Sequence, residues 1–194
     1  MRIEGSSAGG QGISWIHMVP AVLLGAWTIQ IATAEQPYSL LDYVNLAFHE
    51  AGHIVFSPFG ETLHILGGTL LQIFVPLILV GYFLLKRAPY SAALCGWWVG
   101  ENLVNISVYM ADARDLRLPL VGGGEQDWTQ LFYQFGLLGA DAVAAVSKGT
   151  HHLGVVLMLA ASGWAACFAL FPSVRKAVDE LIADRLPSLD SLFG

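Results

Sequence analysis

Charged side chains are scarce in this sequence. They make up 12% of the 194 residues, whereas 55% of the residues are hydrophobic. So few charges cannot coat a water-soluble globule of this size, because soluble domains carry about twice that fraction. Only nine residues are Lys or Arg, and they form no cluster interleaved with aromatics of the kind that a nucleic-acid surface needs. The composition therefore predicts a membrane protein that does not bind nucleic acid.

Cysteine is also rare. The two cysteines, Cys95 and Cys167, both lie in apolar segments, where a packing role is more common than a disulfide or a redox pair. The sequence has no Gly-rich phosphate loop, haem-attachment motif or nucleophilic serine elbow. Several frequent classes of enzyme site are thereby excluded.

Long apolar stretches are what the sequence has in abundance. A stretch of about 18 apolar residues is long enough to cross the hydrocarbon core as a helix. The stretches of this kind cover residues 13–34, 40–56, 66–85, 90–110 and 153–171. The second is the least certain, because it contains two histidines, a glutamate and Asp42. The predicted fold class is all-α integral membrane, with four to five transmembrane helices.

Two further segments have apolar residues at helical spacing beside a polar face. One runs from Trp128 to Val146, and the other from Val174 to Leu186, before Pro187. Both patterns predict amphipathic helices lying on the membrane surface.

The expected organisation is one membrane domain over residues 1–194. It has a flexible N-terminus (1–12), a helical membrane core (13–172) and an amphipathic C-terminal tail (173–194). We interpret the first apolar stretch as a retained span. The alternative is a cleaved leader, since Ala32-Thr33-Ala34 has the small residues of a cleavage site.

The sequence His49-Glu50-Ala51-Gly52-His53 lies inside the second stretch. Residues four apart share one face of a helix, so His49 and His53 can bind one zinc ion. Glu50 then lies beside them, where it can take a proton from zinc-bound water without being a ligand, as in His-Glu-x-x-His hydrolases. The alternative is a structural role, with both histidines in polar contacts between helices.

A catalytic zinc needs a third protein ligand. The extended motif would place a histidine six residues after His53, but Phe59 occupies that position. Glu101, Asn105 and Asp112 fall on one helical stripe of the fourth apolar stretch, which could face the histidines. Glu101 and Asp112 are therefore the candidate third ligands.

The segment from Asn105 to Asp112 resembles the Asn…Asp segment of site-2 protease-type intramembrane metalloproteases. The resemblance covers residues 45–115 and implies that Asp112 is the third zinc ligand and Asn105 a substrate-positioning amide. Val108 stands where that family usually has proline, and Ala111-Asp112-Ala113 stands where it usually has Leu-Asp-Gly.

Other carboxylates remain as alternatives. Glu101 would be the ligand in a gluzincin-like site, or else a buried carboxyl hydrogen-bonded to an asparagine. Glu125 and Asp127 follow Gly122-Gly123-Gly124, a loop that could fold over the site, although loop carboxylates are usually solvated.

The leading hypothesis is an intramembrane zinc metalloprotease that hydrolyses a peptide bond through zinc-activated water. Its expected partners are the lipid bilayer and a membrane-protein or peptide substrate, and its expected location is the bacterial inner (cytoplasmic) membrane. The alternative is a non-catalytic metal-binding membrane protein or an accessory subunit of a larger membrane complex.

Overall fold

The computed structural model describes residues 12–34, 39–120 and 125–185, with side chains as far as Leu181. These residues form α-helices joined by short connections, and no strand occurs among them. A 3-10 turn, Ser57–Phe59, follows the second helix. The helices are α1 (Trp15–Thr33), α2 (Leu41–Phe56), α3 (Glu61–Leu85), α4 (Pro89–Ala111), α5 (Asp127–Gln134), α6 (Ala140–Leu170) and α7 (Pro172–Arg185).

Four long helices, α1, α3, α4 and α6, form an antiparallel bundle. The backbone N–H of Ser14, just before α1, donates to the carbonyl of Ala169 near the end of α6. At the same end of the bundle, the Tyr90 hydroxyl at the start of α4 donates to the carbonyl of His17. Helices α3 and α4 are joined by the turn 86–88, so α4 runs back alongside α3.

Helix α4 is the centre of this bundle. The indole of Trp97 donates to Thr28 of α1 at 2.8 Å, and Val104 packs in one cluster with Met158 of α6. The backbones of α4 and α6 approach closely at Gly100, where an added Cβ would lie 2.7 Å from the carbonyl oxygen of Gly154. Glycine is needed at this crossing because no larger side chain fits between the two backbones.

Among the helices of the described residues, three are long and apolar enough to cross a membrane: α1, α3 and α6. The described residues thus have an all-helical fold with helices suited to a membrane, whereas the expected number of four to five spans is not confirmed. Helix α2 has 16 residues, fewer than a bilayer usually requires. Helix α4 has 23, but it carries Glu101, Asn102 and Asn105, whose polar groups are accommodated inside the protein instead of in lipid.

The surface helix expected from Trp128 to Val146 is corrected by the structure. It is broken into α5 and the first turns of α6, because Gly136 adopts a left-handed conformation with φ of 69° after α5 ends. Helix α6 therefore joins the second half of this segment to the fifth apolar stretch. The apolar stripe itself was identified correctly, since Trp128, Phe132 and Val146 pack into one cluster.

The C-terminal amphipathic helix is present as α7. Its Val174 and Val178 are half-buried, and Val178 packs against the cluster that contains Phe168. The guanidinium of Arg175 donates to the carbonyls of Phe168 and Ala169, which satisfies acceptors left open at the end of α6. Residues 1–11 of the expected flexible N-terminus (1–12) and the tail beyond residue 185, with Leu186 and Pro187, lie outside the described residues.

Candidate metal centre

Helices α2 and α3 form a tight hairpin that carries the histidine motif. Pro58 and Gly60 lie in the connection, and Gly60 has a φ of 97° that favours glycine. The two helices cross where Gly52 faces Gly67, so closely that a Cβ added to Gly52 would lie 2.2 Å from the Gly67 carbonyl oxygen. The glycine inside the motif therefore allows α3 to approach the face on which the histidines lie.

His49 and His53 point into one site and meet a carboxylate from α5. The Nε2 atom of His49 lies 2.8 Å from Oδ2 of Asp127, and the Nε2 atom of His53 lies 3.3 Å from the same oxygen. All three side chains are largely buried, with exposed fractions of 9%, 18% and 13% in that order. The three ligand atoms lie within 4.8 Å of one another, a separation that allows them to hold one metal ion.

The other nitrogen of each imidazole has a hydrogen-bond acceptor. Nδ1 of His49 lies 3.2 Å from Oε1 of Gln72, and Nδ1 of His53 lies 2.9 Å from the backbone carbonyl oxygen of His64. Metal-binding histidines commonly donate one ring N–H to an acceptor of this kind, which leaves the other nitrogen for the metal. Both histidines are thus arranged to present Nε2 to an ion.

A second contact reinforces the position of His53. Nδ1 of His64 lies 2.8 Å from the carbonyl oxygen of His53, so each of these two imidazoles donates to the other's backbone. This reciprocal pair joins the ends of α2 and α3 beside the site.

Two of the distances between ligand atoms can be compared with those of a four-coordinate zinc site. Zinc binds nitrogen and oxygen at about 2.0 to 2.2 Å, so tetrahedral coordination separates two ligand atoms by about 3.3 Å. The His53 to Asp127 distance of 3.3 Å already has this value, and the His49 to Asp127 distance of 2.8 Å would need to open by about 0.5 Å.

Asp127 is the first residue of α5, and its neighbours hold it in place. Gln126 caps the helix by accepting from the backbone N–H of Thr129 at 2.7 Å, and it donates to the carbonyl of Tyr109 on α4 at 2.8 Å. The Thr129 hydroxyl donates to the carbonyl of Ala113. Leu131, one turn further on, is 1% exposed. This carboxylate is therefore fixed on an anchored helix.

The surroundings of Asp127 favour the ionised form of its carboxyl, which is the form that binds metal ions. Burial acts to raise the pKa of its carboxyl, but hydrogen bonds with His49 and His53 outweigh burial and hold the pKa below its ordinary value. A carboxylate that is ionised at neutral pH is ready to bind a metal ion.

Comparisons with known proteins do not identify the chain. No family model, curated protein or solved structure matches it.

An open cavity of about 660 Å³ leads to the three ligand atoms. Glu50 lines it beside the histidines and is half-buried, and its carboxylate has no hydrogen-bond partner among the described residues. Glu61 and Glu125 also line the cavity, together with apolar residues such as Leu118 and Leu120, and no lysine or arginine is among the lining residues. An unpaired carboxylate next to a metal site is well placed to accept a proton from water.

The carboxylate beside the histidines is Asp127 and not Asp112. Asp112 follows the last residue of α4, where its oxygens accept the backbone N–H groups of Arg117 at 2.9 Å and Leu118 at 3.1 Å. Its carboxylate is thus used to hold the chain as it leaves the helix. Of the predicted stripe, Asn105 lines the cavity, but Asp112 does not join the group of possible ligands.

Glu101 is in the bundle interior and is not part of this group of ligands. It is 2% exposed and accepts hydrogen bonds from Ser39 at 3.1 Å and Asn45 at 2.9 Å. These contacts match the structural alternative, a buried carboxyl bonded to an asparagine.

Asn105 lines the cavity, but its amide is already engaged. Its Oδ1 accepts from Gln72 and its Nδ2 donates to Asp42, both at 2.8 Å. Contact with a substrate therefore stays a prediction for this residue.

A signal for Asp127 was present in the sequence. The apolar stripe that begins at Trp128 predicts a helix packed on the protein, and an acidic residue is favoured in the first turn of a helix. These two features of the sequence favour a position for Asp127 at the start of a helix instead of in a solvated loop.

Gly68 offers a direct test of this geometry. A Cβ added there would lie 2.7 Å from Nε2 of His49. We expect Gly68→Ala to displace the imidazole and to weaken zinc binding, measured by competition with a chelating dye. The matched control is Gly81→Ala on the same helix, where an added Cβ meets nothing within 4 Å, and it should leave the zinc affinity unchanged. Equal zinc affinity in both variants would contradict the placement of His49.

Proposed function

We propose that this protein is an intramembrane zinc metallopeptidase. The observation that carries the proposal is the convergence of His49, His53 and Asp127 on one point in the lining of an open cavity, which Glu50 also lines. Two histidines and one carboxylate are a ligand set of hydrolytic zinc enzymes, in which the fourth position is left to water. Among the described residues, no fourth ligand of the same kinds joins the group.

The proposed roles follow from where each side chain lies. Zinc would supply the Lewis acid that lowers the pKa of water and polarises the scissile carbonyl. His49, His53 and Asp127 would hold the ion, and Glu50 would accept the proton from water and deliver it to the leaving amine. The apolar residues of the cavity, such as Leu118 and Leu120, would bind an apolar segment of the substrate.

The site-2 protease-type relationship remains a proposal. Supporting it are the histidine motif in a helix packed against membrane-spanning helices and a third ligand from a later part of the chain. The ligand favoured by the geometry, Asp127, lies beyond the segment that carries the resemblance, so that segment would serve the site through Asn105 only.

We also propose that α4 crosses the membrane together with α1, α3 and α6, giving four spans. With 23 residues it is about 34 Å long, and it lies antiparallel to two helices that can each cross. Helix α2, with 16 residues, is about 24 Å long and would enter the membrane only in part. The bacterial inner membrane stays a prediction.

The test is zinc-dependent peptide hydrolysis by the purified full chain in lipid vesicles. The probe is a quenched-fluorescent library of apolar peptides about 20 residues long, enough to insert into a bilayer. We expect cleavage to be lost on treatment with a zinc chelator and to return when zinc is restored. Stoichiometric zinc binding without cleavage of any library member would instead favour the non-catalytic metal-binding alternative.

A further inference from the structure

A continuous chain of side-chain hydrogen bonds leads from His49 into the helical bundle. Nδ1 of His49 is 3.2 Å from Oε1 of Gln72 on α3, whose Nε2 is 2.8 Å from Oδ1 of Asn105 on α4. Nδ2 of Asn105 is 2.8 Å from Oδ1 of Asp42 on α2. The chain thus starts and ends on α2, seven residues apart, and passes through two other helices.

The side chains of this chain are mostly buried, and all four also line the cavity. Gln72 is 2% exposed and Asp42 is 6% exposed, while Asn105 is half-buried. Buried amides rarely go without a partner, because leaving a donor or acceptor unpaired costs more than an ordinary hydrogen bond contributes. Each amide in this chain must therefore match its neighbours in orientation.

Asp42 sets the direction of the chain. Its Oδ2 accepts the backbone N–H of Ser39 at 2.5 Å, and a backbone N–H can only donate. The carboxyl of Asp42 is also hydrogen-bonded to that of Glu101, and this pair holds its shared proton on Glu101. Asp42 is then acceptor-only, so Asn105 must present its Nδ2 to Oδ1. The Oδ1 atom of Asn105 then faces Gln72. Because this oxygen can only accept, Gln72 must donate a hydrogen to it.

The direction of these hydrogen bonds also determines which nitrogen of the His49 imidazole carries a hydrogen. Gln72 donates to Asn105 through Nε2, so the Oε1 atom of Gln72 faces His49. That oxygen can only accept, so Nδ1 of His49 must carry a hydrogen. In neutral imidazole the other nitrogen, Nε2, is then the one with a free lone pair.

Building on the proposed zinc site, we infer that Asp42, through Asn105 and Gln72, fixes His49 in the tautomer that presents Nε2 to the metal ion. These three are positioning residues, since none of them is among the three ligands. Reversing the chain would put a donor against Nδ1 of His49, move the hydrogen to Nε2 and block the ligand atom.

His53 provides an internal comparison. Its Nδ1 hydrogen is directed to the carbonyl oxygen of His64, at 2.9 Å. A backbone carbonyl cannot be reversed by rotating an amide, so the tautomer of His53 does not depend on Asp42. Changes to the chain should therefore alter His49 and leave His53 as it is.

Asp42→Asn is the decisive variant. An amide at position 42 can turn its NH2 group towards Asn105, which allows the whole chain to reverse without a change in side-chain size. We expect the zinc dissociation constant to rise by about 10- to 100-fold, the usual loss when a partner of a metal ligand is removed. In NMR spectra of the zinc-loaded protein, the hydrogen-bonded Nδ1–H signal of His49 should shift or disappear, while that of His53 persists.

Gln72→Met provides a second, independent break in the chain. It keeps the length of the side chain but offers His49 no comparable acceptor, so its zinc affinity should fall in the same way. The control is Gln130→Met in the same cavity, because Gln130 donates to the carbonyl of Glu125 and lies outside the chain. Helical circular dichroism and the His53 signal identify any variant that has misfolded.

The inference is overturned if folded Asp42→Asn and Gln72→Met proteins both retain the parent zinc affinity and the His49 signal. That outcome leaves the proposed peptidase function untouched. Conversely, a parent protein that binds zinc with the expected signals but cleaves no peptide would contradict the peptidase function and keep the inference.

Discussion

Replacing Glu50 with Gln should leave zinc bound and reduce peptide hydrolysis by about 10²- to 10⁴-fold, the usual contribution of a general base. The reason lies in the division of roles on α2. His49 and His53 direct their Nε2 atoms at Asp127, whereas Glu50 lines the cavity without joining the three ligands. The amide of glutamine keeps the size of the side chain but cannot accept a proton from water at neutral pH.

The measurement pairs zinc content with the initial rate of peptide cleavage in vesicles. Glu61→Gln is the matched control, since Glu61 also lines the cavity but lies at the exposed start of α3. Its rate should stay close to that of the parent. A Glu50→Gln protein that cleaves as fast as the parent would remove Glu50 from the mechanism.

Replacing Asp127 with Ala should abolish stoichiometric zinc binding and, with it, all hydrolysis. Asp127 is the only carboxylate that the described part of the chain brings into contact with both imidazoles. Its loss leaves two histidines, and a catalytic zinc site ordinarily has three protein ligands. Zinc content of the purified protein, measured by elemental analysis, should fall from about one ion per chain to background.

The same measurement on Asp112→Ala and Glu101→Gln tests whether the third zinc ligand is Asp127, which the structure favours, or one of the two carboxylates predicted from the sequence. Asp112 binds the backbone after α4, and Glu101 binds Ser39 and Asn45, so both variants should keep their zinc. Loss of zinc from Asp112→Ala alone, with Asp127→Ala unaffected, would restore the ligand implied by the resemblance to site-2 protease-type enzymes. It would also mean that α5 does not supply the third ligand.

The apolar helices could be predicted well, because the signal for each of them is local. Helix α1 at Trp15–Thr33 and helix α4 at Pro89–Ala111 lie within one or two residues of the expected stretches. Helix α3 begins earlier than expected, at Glu61 instead of Leu66. The largest error, at the start of α6, arose where one glycine interrupts a helical pattern. The helical stripe from Trp128 to Val146 gave no sign that Gly136 would turn the chain, since a periodic pattern continues across a residue that interrupts the backbone.

His49, Glu50 and His53 illustrate what the sequence by itself determined. Residues one and four apart on a helix have fixed relative directions, so the pair of imidazoles and the adjacent carboxylate followed from spacing alone. The third ligand did not, because Asp112, Glu101 and Asp127 are all carboxylates on later segments and spacing does not rank them. Only the tertiary structure shows that Asp127 is the carboxylate that lies beside both histidines, because α5 packs against α3 and α4 and carries it there. A site shared between helices depends on how they pack, and that packing is set by contacts far apart in the chain.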